Sequence, residues 1–186
     1  MLHEGAILSA LSYDDKKLTG RFVPYKYYLA QLCDPSLKAD LKIIPVSMSA
    51  VTIATHSIVL AKRAGWVAQY PDWYECAPAG GVRLPSAGRS GVDIKEQMLD
   101  ELNEEIGVER EQVKAIKFMT LVRDLKLDAI ELCAEIQLKP CTIFSSSAEY
   151  TQIMTVPLSE VPLFVKAHAV DFVPLSLVLL KWGKFI

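Results

Sequence analysis

The chain has no C-x-x-C pair: Cys33, Cys76, Cys133 and Cys141 are scattered. That spacing excludes a zinc ribbon framework and a thioredoxin-like redox motif, and it predicts buried free thiols in a reducing compartment. No stretch reaches the roughly 18 consecutive apolar residues of a membrane span. The N-terminal "MLHEGAILSALSYDDKK" places an acidic residue before its short apolar run, the wrong order for a secretory signal. A cytoplasmic protein without membrane partners is the expectation. Charge of one sign is lacking too. A formal net charge of −2 offers no global attraction to nucleic acid, so no stable nucleic-acid partner is expected and any polyphosphate must be held by a local site. With only 9 Gly and 10 Pro in 186 residues, and 51% hydrophobic residues, the sequence suits one compact domain with a small appendage.

What is present falls into two parts. Residues 1–41 form a tyrosine-rich N-terminal extension expected to pack on the domain, ending in a short helix from Pro35 to Leu41. Residues 42–186 carry the domain. "KIIPVSMSAVTIAT" and "IVLAKRA" read as a hairpin turning at His56-Ser57, and "AQYPDWYECAPAGGVRLPSAGRSG" reads as loop. Asp93 with Glu96 three residues later has the D-x-x-E form of a helix start, Ile94, Met98, Leu102 and Ile106 recur every four residues, and Gly107 supplies the stop. "VKAIKFMTLVRD" and "DAIELCAEIQL" read as strands, "YTQIMTVPLSEVP" as a further strand running into a turn, and "VDFVPLSLVLLKWG" as a closing helix. Strands, one central helix, strands and a helix make an α+β fold, a sandwich around a mixed sheet rather than a βαβ repeat.

Chemistry concentrates on the central helix. Glu101, Glu104 and Glu105 stand at i, i+3 and i+4, on one face, where like charges repel by a few tenths of a kcal/mol per pair. Such a run is either a solvated acidic face or a set of hard oxygen ligands for Mg²⁺ or Mn²⁺. Upstream, "PAGG" (Pro78 to Gly81) is a glycine turn whose backbone can approach a phosphate or metal. Glu109, beyond Gly107, reads as a solvated residue.

At this point the chain resembles the Nudix hydrolases, whose signature is G-x5-E-x7-R-E-U-x-E-E-x-G-U with U aliphatic. "DELNEEIGV", Asp100 to Val108, matches the last nine positions except the arginine, which falls on Asp100. The earlier motif glutamate falls on Val92, and its glycine on Gly81, displaced by a five-residue insertion in "VRLPSAGRSG". Arg83 and Arg89 of the inserted loop are the candidates to replace the arginine.

The resemblance implies a Nudix-type α/β/α sandwich and a Mg²⁺-dependent (or Mn²⁺-dependent) hydrolase cleaving the diphosphate linkage of a nucleoside diphosphate joined to another moiety. It implies Glu101, Glu104, Glu105 and the Gly80 carbonyl as metal ligands, with Glu104 also catalytic, Gly81 near the substrate, and a homodimer as a candidate assembly. Glu149, before the strand from Tyr150, is the candidate general base or an ordinary loop glutamate. Arg63 pairs with phosphate or caps its strand; Trp73, with Trp66, Tyr70 and Tyr74, stacks a base or packs the loop. The changes at Asp100 and Val92 motivate an alternative, a nucleotide-binding or regulatory module with little or no turnover.

Overall fold

The computed structural model describes residues 5–14, 17–67, 69–85 and 91–186. The chain opens with a hairpin, β1 (Ala6–Tyr13) and β2 (Leu18–Pro24), followed by helix α1 (Tyr25–Cys33). Neither is foreseen in the extension predicted at 1–41. The helix predicted from Pro35 to Leu41 divides into a 3-10 turn (Pro35–Leu37) and one α-turn, α2 (Lys38–Leu41). Asp34 starts it, its carboxylate accepting the Ser36 N–H at 3.0 Å.

The predicted hairpin is present as β3 (Val46–Ala54) and β4 (Ser57–Arg63), with Thr55 in the left-handed region at the turn. The segment read as loop supplies two three-residue strands instead, β5 (Tyr74–Cys76) and β6 (Ala79–Gly81). Runs this short carry no periodicity to detect. The central helix α3 spans Ile94–Ile106, followed by β7 (Val113–Asp124), β8 (Ala129–Leu138) and β9 (Tyr150–Pro157). Two helices end the chain, α4 (Val161–Ala167), where a turn was expected, and α5 (Pro174–Trp182).

β8 runs parallel to β3 along its whole length, β7 lies antiparallel outside β8, and β9 lies antiparallel beside β4. β3 and β4 pair only near their turn, through Thr52 to Ala54 and Ser57 to Val59. Beyond it they splay: β5 pairs with the end of β4 and β6 with the start of β3. The splay carries the glycines of β6 into the middle of the sheet. Strand alternation then sorts the core. Val46, Met48, Val59 and Ala61 meet Met98, Leu102 and Ile106 of α3 on one face. Val51, Ile58 and Leu60 meet Val161, Leu179 and Leu180 of α4 and α5 on the other. The result is the expected α+β sandwich with a mixed sheet.

The N-terminal hairpin joins the α3 face directly. Leu8 and Ala10 lie in that core, and their N–H groups donate to the carbonyls of Val82 (3.0 Å) and Ile44 (2.8 Å). Gln31 of α1 brackets Ile43, accepting from its N–H at 3.0 Å and donating to its carbonyl at 2.8 Å. Cys76 and Cys133 are buried, which pushes both thiols up to about 12, whereas Cys33 and Cys141 are exposed, against the expectation of four buried thiols. Cys33 closes α1 and Cys141 lies in the turn after β8, where no apolar pattern foretells burial. Among the described residues no helix is long and apolar enough to cross a membrane.

Candidate active site

Helix α3 forms as its sequence dictates. The Asp93 carboxylate accepts the Glu96 N–H at 3.1 Å, and Gly107, at φ 70°, ends the helix by donating to Asn103 O at 2.9 Å. With Met98, Leu102 and Ile106 fully buried, the flank of that stripe carries Gln97, Glu101, Glu104 and Glu105. Glu101 and Glu105 are buried while Glu104 is exposed, so the three carboxylates occupy different environments. A solvated acidic face is therefore excluded for two of them.

Gly80 explains how Glu101 is buried. A Cβ on Gly80 would stand 2.4 Å from the Glu101 carboxyl carbon, so only glycine lets the helix and β6 approach this closely. Gly81 is under no such constraint, because a Cβ there would meet Ile7 at an ordinary 3.8 Å. Glu105 is held from two sides: its Oε2 accepts the Ala79 N–H at 2.9 Å and the Tyr150 hydroxyl at 3.0 Å. Burial raises its protonation range well above that of an ordinary carboxyl, with Glu75 and Glu101 adding to the shift and the Ala79 N–H opposing it. For Glu101, burial pushes the value up to about 7 against the pull of Arg83.

Of the two arginines expected to replace the one missing at position 100, Arg83 lies against the helix glutamates. Its guanidinium lies 3.2 Å from Glu101 and contacts both oxygens of Glu104, at 3.1 and 3.2 Å. Asp100 is exposed. Arg89, the other candidate, lies outside the described residues.

Sequence reasoning missed Glu75 and Tyr150. Glu75 is almost fully buried in β5 and pairs with Arg63 at 2.5 Å; the Arg63 Nε also donates to Gln69 O at 3.0 Å. The Tyr150 hydroxyl interacts with Glu75 as well as Glu105, linking the Arg63 pair to the helix carboxylates. The only available signal was alternation: Tyr74 and Cys76 face α5, which leaves Glu75 on the α3 side. Arg63 is thus engaged within the protein. Glu149 has an exposed side chain that adds to the negative field on Glu101 and Glu75.

Trp73 is half-buried and packs on Tyr70 with ring centroids 5.0 Å apart. Tyr74 is directed to the opposite face, against Phe164, His168 and Phe172, and Trp66 is largely exposed. Neither of those two stands beside the carboxylates.

Hard carboxylate oxygens and a close-lying glycine backbone match the donor set of Mg²⁺ or Mn²⁺, and the Arg83 guanidinium pairs with both Glu101 and Glu104. Among the described residues no three acidic, histidine or cysteine side chains converge as a ready-made metal cluster, consistent with Glu104 turning to Arg83 and Glu105 to Ala79 and Tyr150.

Comparison of the sequence finds no matching family model and no matching curated protein. Comparison of the structure does find solved structures of similar fold. DR0079 from Deinococcus radiodurans is 13% identical with a TM-score of 0.61, covering 94% of this chain and 98% of its own. A NUDIX hydrolase from Nitrosomonas europaea is 16% identical with a TM-score of 0.53, covering 95% of this chain and 83% of its own. The chain has the Nudix fold. A bifunctional NMN adenylyltransferase/ADP ribose pyrophosphatase from Francisella tularensis, solved with AMP and a manganese ion, is 14% identical with a TM-score of 0.58. That match covers 87% of this chain and 47% of the bifunctional protein, so the chain spans about half its length. Within the Nudix fold of this chain, α3 is the helix that carries the "DELNEEIGV" motif.

Proposed function

We propose that this chain is a divalent-metal-dependent hydrolase of the diphosphate linkage in a nucleoside diphosphate joined to a second moiety. The observation that carries this reading is the close packing of Glu101 on Gly80, with Glu104 and Glu105 on the same helix, in a Nudix fold. Burying a carboxylate is costly, and Glu101 and Glu105 stand buried one turn apart on one helix face, where their charges repel. The Francisella relative solved with AMP and manganese supports both the ligand class and the metal.

Glu101, Glu104, Glu105 and the Gly80 carbonyl would hold the ion. When bound, a divalent cation neutralises phosphate charge and acidifies a water for attack at phosphorus. The protein's own part is orientation. Tyr150 and the Ala79 N–H fix the Glu105 carboxylate, and the Gly80 backbone limits the rotamers of Glu101. Glu149, exposed and adding to the negative field on Glu101, is the candidate proton acceptor. Arg63 supports the site through Glu75, and Trp73 with Tyr70 offers an aromatic surface for a base.

A panel of nucleoside diphosphate derivatives, ADP-ribose included, assayed with Mg²⁺ and Mn²⁺ for phosphate-containing products tests the reading. Metal-stimulated turnover is expected with at least one member. Glu104→Gln and Glu105→Gln, which remove charge without volume, should each reduce it to background. Unchanged activity in both variants rejects the ligand assignment. Nucleotide binding without any turnover supports the binding-module alternative.

A further inference from the structure

Gln97, Glu101 and Glu104 follow one another at i, i+4 and i+7 along α3, and all three engage Arg83. The Gln97 side chain clasps the Arg83 backbone, accepting its N–H at 2.9 Å and donating to its carbonyl at 2.7 Å. This fixes where the arginine leaves the chain. Its guanidinium then engages both oxygens of Glu104 and one of Glu101. A cation bridging those two carboxylates would need a Glu104 oxygen that Arg83 already holds, and it would stand beside a like charge.

We propose that Arg83 is a tethered cation that competes with the divalent ion for Glu101 and Glu104, and so sets the metal concentration at which the site loads. The inference rests on the metal-ligand reading above. It adds a property of this chain, because the arginine comes from the inserted segment and not from α3. Competition and mere orientation make opposite predictions: an orienting arginine strengthens metal binding, whereas a competing one weakens it. Two features favour competition. Glu104 has no oxygen left outside the pair, and the Arg83 side chain, 41% exposed, can swing into solvent or onto substrate phosphate when displaced.

The test is Mn²⁺ binding to the substrate-free protein, read by the electron paramagnetic resonance of free Mn²⁺, for wild type, R83Q, R83K and E105Q. R83Q should bind Mn²⁺ about three- to tenfold more tightly at low ionic strength, the range expected on losing a partly exposed ion pair and a like charge. R83K keeps the charge and should stay near wild type. Unchanged or weaker binding in R83Q, with binding present in wild type and lost in E105Q, overturns the proposal and leaves the metal site standing. R83K as tight as R83Q also overturns it, since the effect would not be one of charge. No Mn²⁺ binding in any of the four overturns the metal site and this inference together.

Discussion

Glu131 on β8 is a carboxyl group apart from the proposed metal ligands. It lies half-buried beside β3 with the Ser49 hydroxyl donating at 3.2 Å, and loss of solvent pushes its pKa from the ordinary 4.5 up to about 7, with Asp124 and Glu75 contributing in the same direction. A carboxyl raised in the folded state binds protons more tightly there than when unfolded. Its contribution to stability is therefore complete below about pH 4.5 and is lost as the pH rises to about 7. The metal-free protein should show denaturant midpoints falling over that window, and Glu131→Gln should flatten the fall. A midpoint equally pH-dependent in the variant would show that other groups carry the slope. At this scale the sequence was legible for the helix glutamates, whose spacing alone puts them on one face. It was opaque for Glu75, Glu131 and Tyr150, because whether an isolated polar residue is buried depends on which strand it lies beside.

Among the elements, α3 was the most legible. Its cap, its four-residue apolar repeat and its glycine stop act within the segment, so local forces define both ends. β5 and β6 were not legible, since three-residue strands exist only because β3 and β4 diverge and leave edges to pair with. The distance between β6 and α3 is likewise a property of the pair. Gly80→Ala would drive a methyl group into the Glu101 carboxyl, forcing helix or strand to move. A loss of about 1–3 kcal/mol by urea unfolding is expected, the range for overpacking a close contact. Metal-stimulated activity should fall with it. Gly81→Ala is the control, with space for the methyl and little expected change.

For the molecule as a whole, the decisive fact is that the N-terminal hairpin shares a core with the rest. Leu8 packs in the same cluster as Met98, Leu102 and Ile106. Leu8→Ala should thus destabilise the entire chain by about 2–4 kcal/mol, in one cooperative transition seen alike by far-UV circular dichroism and tryptophan fluorescence. A separate early transition, with the remainder unaffected, would show that residues 6–24 unfold independently. Only the structure could reveal this sharing, because β1 reaches the core through single backbone bonds to Val82 and Ile44, far away in sequence. What the sequence by itself determined is the α+β class, the β3–β4 hairpin to within one residue of its turn, and the glutamate helix with its half motif. Each follows from periodicity and capping, which are local and survive without knowledge of neighbours. Only the tertiary structure decided that Arg83 faces Glu101 and Glu104, that Arg63 is spent on Glu75, and that Gly80 lies under the helix. Those contacts join residues 12 to 21 positions apart, and their partners are chosen by the splay of two strands and by close packing, which no local pattern encodes.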